Sequence, residues 1–170
     1  NELFAENFAG IYGMEVIGLR YFNVFGRRQD PEGAYAAVIP KFIKDLKEHR
    51  RPVINGDGSI SRDFTYIDNV LQVNHLAALA DAETAVNQVF NVAHGERTTL
   101  NELFNIIKNF AGKHDTGIQN IEPVYGPPRS GDIPHSQASV EKACRLLGYK
   151  PTHTVSEGLK ETVDWFMNKL

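Results

Sequence analysis

The sequence predicts an α/β fold, and three observations predict it. The stretch Met14 to Phe22 runs apolar through Val16, Ile17, Leu19 and Phe22 without strict alternation, the pattern of a parallel strand covered on both faces. It empties into Asn23 and a loop containing Gly26, which is how an α/β sheet delivers polar groups to a ligand at its strand ends. Helical and strand-like segments then succeed one another, with Thr99–Glu102 and Thr154–Glu157 each spaced as a capping box that opens a helix.

The elements follow in order. Leu3, Phe4, Phe8, Ile11 and Tyr12 recur at helical spacing, and Gly13 supplies a residue that takes the left-handed conformation ending a helix. After the strand, Asn23 to Ala36 is a polar loop with Gly26, Pro31 and Gly33, too long for a mere connector and so a candidate ligand loop. A helix from about Ala37 to His49 tolerates Pro40 in its first turn. Pro52 to Asn55 and Phe64 to Ile67 are short strand signals around Gly56-Asp57-Gly58, which taken alone is a hairpin turn. Asp68 is placed to cap a helix running to about Ala80, and Gln88 to Ala93 is another strand. The helix opened by Thr99 is expected to end at Gly112, Ile121 to Tyr125 to form a strand, and Ser139 to Leu147 a helix closed by Gly148. There is no internal repeat or low-complexity segment.

Bulk properties exclude several classes. With 170 residues, 42% hydrophobic and 23% charged, the chain is long enough for one globular domain with a substantial core. A net charge of -3 argues against a general nucleic-acid surface or a basic membrane-attracted patch. Cys144 is the sole cysteine, so no intramolecular disulfide forms and a reducing, cytoplasmic setting fits best. No apolar run has the length of a membrane span, and Asn1-Glu2 before an amphipathic pattern is not a signal peptide. The six histidines, at 49, 75, 94, 114, 135 and 153, show neither metal-ligand spacing nor cysteine partners; they read as solvated or core residues, and no metal is expected. Cys144, Trp165 and Phe166 read as helical core packing.

Three residues converge on a phosphorylated sugar or nucleotide. Arg62 stands where a strand begins, Arg129 in a loop stiffened by Pro127, Pro128 and Gly131, and Asn23 at a strand end. Guanidinium forks match phosphate oxygens, and an Asn amide both donates to and accepts from sugar hydroxyls or phosphate esters. The competing reading is that both arginines are surface residues paired with Asp63 and Asp132.

Four ordered motifs together resemble a family: Arg20-Tyr21-Phe22-Asn23-Val24-Phe25-Gly26, Ala36 to Phe42, Asn55-Gly56-Asp57-Gly58 leading to Arg62-Asp63-Phe64, and Arg129-Ser130-Gly131-Asp132. They look like the C-terminal half of extended short-chain dehydrogenase/reductases, most of all NAD-dependent UDP-sugar 4-epimerases. The resemblance covers essentially residues 1–170 and implies a substrate-binding C-terminal portion whose strands complete a Rossmann-like parallel sheet, plus a small α/β lobe. It implies that Phe22 lies on the nicotinamide side and Asn23 contacts the UDP-sugar. Ala37, Val38, Val53, Ile54 and Asn55 then line the uridine, Arg62 and Arg129 clamp the diphosphate, and Asp132 holds a ribose hydroxyl. Ser136 matches a pocket position where a bulky aromatic restricts the family to plain hexoses, so a small residue there leaves room for an N-acetyl group. The loop from Gly26 to Tyr35 resembles the subgroup handling N-acetylated UDP-hexosamines or their uronic acids.

The same resemblance implies what is missing. The Gly-x-x-Gly-x-x-Gly phosphate loop does not occur among these residues, and the catalytic Tyr-x-x-x-Lys is expected just upstream of Asn1. Tyr12 and Tyr21 do not replace it, since neither has Lys four residues later. No catalytic residue is therefore expected in this chain, NAD is expected to be held mainly by the missing N-terminal portion, and a homodimer is expected through the first helix. A uronate epimerase, a decarboxylase, a 4,6-dehydratase or a non-catalytic UDP-sugar-binding fragment remain alternatives.

Overall fold

Helix α1 (Glu2–Tyr12) ends at Gly13 with φ 64°, in the left-handed conformation that its position requires. Strand β1 (Ile17–Tyr21) follows and pairs in parallel with β6 (Gln88–Val92), Leu19 opposite Phe90. The computed structural model describes residues 1–33 and 37–169, so Ala34, Tyr35 and Ala36 of the expected ligand loop lie outside the described residues.

The parallel direction of β1 is as expected, but its coverage is not. Ile17 and Leu19 pack on a cluster of Val70, Val73, Phe90 and Tyr149. On the other side, Gly18 borders an open groove of about 620 Å³ shared with Leu3, Ala5 and Ala9 of α1. Arg20 reaches out to Glu2, with Nη2 2.6 Å from Oε2. One face is buried and the other stands open because α1 touches the pair only at its rim.

The main core is built by three helices, α2 (Val38–Lys47), α5 (Leu100–His114) and α7 (Val155–Lys169). In α2, Ile39, Phe42, Ile43 and Leu46 recur at the spacing of one helical face and are all buried. They meet Leu103, Phe104 and Ile107 of α5 and Leu159, Val163 and Phe166 of α7, with the Phe42 and Phe104 rings edge-on at 6.0 Å. Both expected capping boxes form: Thr99 Oγ1 accepts from the Glu102 N–H at 3.1 Å, and Thr154 Oγ1 from the Glu157 N–H at 3.3 Å.

The segment around Gly56-Asp57-Gly58 departs from the expected hairpin. Strand β3 (Val53–Asn55) pairs in parallel with β8 (Val124–Gly126), and β5 (Thr65–Tyr66) pairs in parallel with β2 (Val24–Phe25). Between them β4 (Ser61–Arg62) runs antiparallel to β7 (Thr98–Thr99). The reason lies in Gly58, at φ 78°, which seats directly against Asn101. Asn101 Nδ2 donates to the Asp57 carbonyl at 2.9 Å and its backbone N–H to the Gly58 carbonyl at 3.2 Å. The first turn of α5 thus clasps the loop and keeps β3 from folding back on its successor.

Smaller differences have local causes. Helix α3 (Ile67–Ala78) is entered from Tyr66, and Asp68 sits inside its first turn without capping it. Gly112 lies within α5 rather than beyond it, where a Cβ would meet Gln119 Cγ at 2.7 Å. Cys144 is exposed on α6 (Glu141–Leu147), whose inward positions are taken by Ala143 and Leu147, so it is not core packing. The expected strand at Ile121 shortens to β8, preceded by a 3₁₀ turn (Thr116–Asn120) with Ile118 buried, and a short helix α4 (Ala82–Ala85) precedes β6. No helix among the described residues is long and apolar enough to cross a membrane.

Candidate functional site

The parallel strands deliver their carboxyl ends to one place. The Phe22 N–H donates to the Val92 carbonyl at 3.0 Å, extending the β1–β6 ladder by one residue. Asn23 then adopts φ 35°, a conformation Asn tolerates better than most residues, and turns the chain into β2. Its Nδ2 donates to the Asp63 carbonyl at 3.0 Å and its carbonyl accepts the Thr65 N–H at 3.3 Å. With one of its two N–H donors tied to Asp63, the Asn23 amide keeps its oxygen as an acceptor and a second N–H as a donor. Gly26 closes β2 against α3: a Cβ there would lie 2.5 Å from Ile67 Cγ2, so no larger residue fits.

Asp63 is fully buried and serves the backbone. Its Oδ1 accepts the His94 N–H at 3.0 Å, while Oδ2 accepts the Gly95 N–H at 3.1 Å and the Ala138 N–H at 3.3 Å. Burial raises its carboxyl above the usual range, and the N–H donors of Ala138, His94 and Gly95 oppose that rise. Asp63 is therefore not the ion-pair partner of Arg62. Arg62 Nη1 donates instead to the Ser61 carbonyl at 2.9 Å and reaches the Pro134 carbonyl at 3.5 Å, which steadies the guanidinium while the rest of its fork stays available.

These groups surround a cleft of about 240 Å³. Its polar wall holds Asn23, Asn55, Arg62, Arg129 and Asp132, and its apolar wall includes Ala37 and Val38 at the start of α2. Seven residues singled out in the sequence are thus brought together from distant segments. Phe22, Val53, Ile54 and Ser136 do not reach the walls. Ile54 is fully buried because it points to the opposite face of β3 from Asn55, whereas Val53 shares the face of Asn55 but lies two residues short of the strand end that borders the cleft and is 55% exposed. Ser136 is half-buried just behind β4, its N–H donating to the Ser61 carbonyl at 3.1 Å.

The sequence reading missed part of the floor. Ile60 and Phe64 join Phe25 and Leu100 there. A period-two signal was present: Ile60, Arg62 and Phe64 alternate along one face of the extended segment that carries β4. Two guanidiniums against one carboxylate leave the wall with a positive balance, suited to an anion that presents paired oxygens.

One side-chain cluster outside the cleft has metal-ligand character. Ligand atoms of Asp68, His153 and Glu161 lie within 4.8 Å of one another. Arg27 already supplies a cation there, 3.5 Å from Asp68 and 3.8 Å from Glu161. The buried Tyr66 hydroxyl donates to Glu161 at 2.7 Å; that bond holds the Glu161 carboxyl below its usual range, and burial holds the Tyr66 phenol well above its own. Among the other histidines, His49 pairs with Asp115 and His114 with Asp164 at the surface, whereas the His94 side chain is only 10% exposed.

Comparison with known proteins places this architecture. A family model described as the NAD dependent epimerase/dehydratase family matches residues 1–93. A protein of Methanocaldococcus jannaschii named as a putative UDP-glucose 4-epimerase is 39% identical over 158 residues, covering 93% of this chain and 48% of that protein. The solved UDP-glucose 4-epimerase of Thermotoga maritima, with UDP-glucose, superposes with a TM-score of 0.88 at 40% identity, over 97% of this chain and 50% of that one. The UDP-N-acetylglucosamine 4-epimerase of Methanobrevibacter ruminantium, in complex with UDP-N-acetylmuramic acid, superposes with a TM-score of 0.86 at 41% identity, over 99% and 51%. The chain spans about half the length of the curated relatives it matches.

Proposed function

This chain belongs to the NAD dependent epimerase/dehydratase family, and from that premise we propose that it is the UDP-sugar-recognition half of a 4-epimerase. The substrate we assign is UDP-N-acetylglucosamine/N-acetylgalactosamine or the corresponding uronate. The observation that carries the reading is the pair Arg62 and Arg129 on one cleft wall with Asn23 and Asp132, Arg62 being steadied by backbone carbonyls with donors to spare. Two forks of this kind match the oxygens of a diphosphate. Asn55, Ala37 and Val38 offer the base an amide and an apolar surface, Asp132 accepts from a ribose hydroxyl, and the Asn23 oxygen accepts from the sugar. The cleft, at about 240 Å³, is smaller than the roughly 300–1,000 Å³ of complete small-molecule sites, as expected of one wall of a shared site.

Phe22 fits the cofactor side of such a site. It is half-buried at the carboxyl end of a parallel strand, beside the open edge of β1, where a flat apolar ring suits a nicotinamide. NAD, when bound, supplies a reversible hydride acceptor for the sugar C4. This chain's part is to grip the diphosphate while the sugar stays free to present either face, a contribution through orientation. The acid-base tyrosine and the phosphate-binding glycine loop belong to the upstream portion that the resemblance implies, so this chain alone is expected to bind without turning over substrate. The exposed Phe4 and Phe8 of α1 are assigned to a homodimer contact in the whole protein, in the cytoplasm.

Isothermal titration of the chain with UDP tests the grip. We expect binding, weakened about tenfold or more by Arg129→Ala, the size of one lost charge-assisted contact. Unchanged UDP affinity in that variant removes Arg129 from the site and the diphosphate reading with it. In the full-length protein, Ser136→Tyr is expected to suppress turnover of N-acetylated substrates relative to plain hexoses; equal suppression of both would refute the substrate assignment.

A further inference from the structure

We propose that His135 is a positioning residue that sets the 129–136 loop in register with β4 and thereby fixes how Arg62 stands relative to Arg129 and Ser136; the functional part of this proposal rests on the diphosphate reading of the cleft. Ser61 is 3% exposed, and a buried hydroxyl needs a partner. The partner is His135, whose Nδ1 lies 2.9 Å from Ser61 Oγ. On either side of that bond the backbones also join: the Ser61 N–H donates to the Pro134 carbonyl at 3.0 Å, and the Ser136 N–H donates to the Ser61 carbonyl at 3.1 Å. Arg62 Nη1 bonds the same two carbonyls, those of Ser61 and Pro134.

One buried serine therefore makes three bonds to residues 134–136, and the residues next to the clasp are Arg62 on β4 and Ser136 on the facing segment. Among the described residues, little else holds the rest of the loop. Residues 127–135 are all exposed, and Gly131 at φ 84° marks a turn within them. Beyond the clasp the chain is anchored independently, Gln137 Nε2 donating to the Gly95 carbonyl at 2.6 Å and the Ala138 N–H to Asp63. Losing the imidazole bond leaves two backbone bonds at the clasp, so the limb carrying Arg129 and Asp132 is expected to loosen while the following segment stays in place. A slip of one residue along such a bridge turns side chains to the opposite face. The bond forms with either tautomer, because Nδ1 accepts from the hydroxyl when it is bare and donates to it when it carries the proton. Its role is mechanical.

The test uses His135→Ala, His135→Asn, His135→Gln and Ser61→Ala in the full-length protein. An asparagine amide reaches the place of Nδ1, whereas a glutamine amide lies one methylene further. Amide hydrogen exchange across residues 129–136 is expected to quicken in the Ala and Gln variants and to return to normal in the Asn variant. KM for the UDP-sugar is expected to rise about fivefold in His135→Ala with kcat within about twofold, the size of one neutral hydrogen bond. Ser61→Ala should match it, and the double variant should be no worse, as for two ends of one bond. Unchanged exchange in His135→Ala, or an Asn variant as loose as Ala, overturns the clasp. Altered exchange with no change in UDP-sugar KM leaves the clasp standing as structure and overturns its role in substrate binding. Wild-type protein that fails to bind UDP overturns the diphosphate reading instead, while the exchange measurement still decides the clasp.

Discussion

Helices α1 and α2 carry the same kind of apolar spacing and meet opposite fates. In α2, Ile39, Phe42, Ile43 and Leu46 are all buried; α1 buries nothing, and Leu3 and Ile11 remain 76% and 72% exposed. The pattern specifies a helix and the direction of its apolar face, but not what covers that face. Helix α2 finds α5 and α7 within the chain. Helix α1 only rims the groove over β1 and β6 and is held there by the Glu2–Arg20 pair. A parallel pair of strands open on one face is a structure that calls for cover, since parallel sheets occur with both faces packed and an isolated strand pair is barely stable. Under the proposed function, the upstream half and a second copy of the chain supply that cover.

The comparison can be broken most directly in the covered region. Leu46→Ala is expected to cost about 2–5 kcal/mol, the range for deleting a buried leucine from a packed core, measured by urea unfolding. A loss below about 1 kcal/mol would mean that the three-helix lobe is not the stabilising half.

A smaller effect sharpens how that lobe is tied to β5. The Tyr66 hydrogen bond lowers the Glu161 carboxyl from its ordinary 4.5, so ionised Glu161 favours the folded state. That stabilisation is fully present above pH 4.5 and is lost as pH falls through the lower folded-state value. Tyr66→Phe should therefore flatten the acid limb of a plot of unfolding midpoint against pH below about pH 4.5, the ordinary value of that carboxyl. An acid limb as steep as in the wild type would detach Tyr66 from the effect.

The smallest change belongs to the open region. Phe4→Ala is expected to alter the stability of the 170-residue chain by less than about 0.5 kcal/mol, because that ring is 71% exposed. A loss comparable to that of Leu46→Ala would show that α1 is packed in solution and erase the contrast.

The candidate site was legible where chemistry alone names a residue. Two arginines and an asparagine at strand ends and in a stiffened loop stand out by type, and Asn23, Arg62 and Arg129 all reach the cleft, as does Asn55, which only the resemblance named. Apolar residues carry no such mark: Ile60, Phe64 and Leu100 form its floor, whereas Val53 and Ile54 of the uridine assignment fall away from the walls. For Ile54 the difference is a matter of facing, which one residue of offset along a strand reverses; Val53 has the same facing as Asn55 and misses the cleft by its distance from the strand end. His135 shows the same limit, since nothing in its neighbours signals a serine 74 positions away.

By itself the sequence determined the helix boundaries set by short-range bonds: the Thr99 and Thr154 capping boxes, and the glycine ends at Gly13 and Gly148 with φ 64° and 70°. Each of those features is decided within a few residues, so spacing alone carries it. Only the tertiary structure decided that β3 pairs with β8 instead of folding into a hairpin, that Asp63 serves backbone donors instead of Arg62, and that α1 stays open while α2 is buried. Those outcomes depend on partners far along the chain, where the entropy of closing a loop must be repaid by many contacts at once and no single local pattern records the sum.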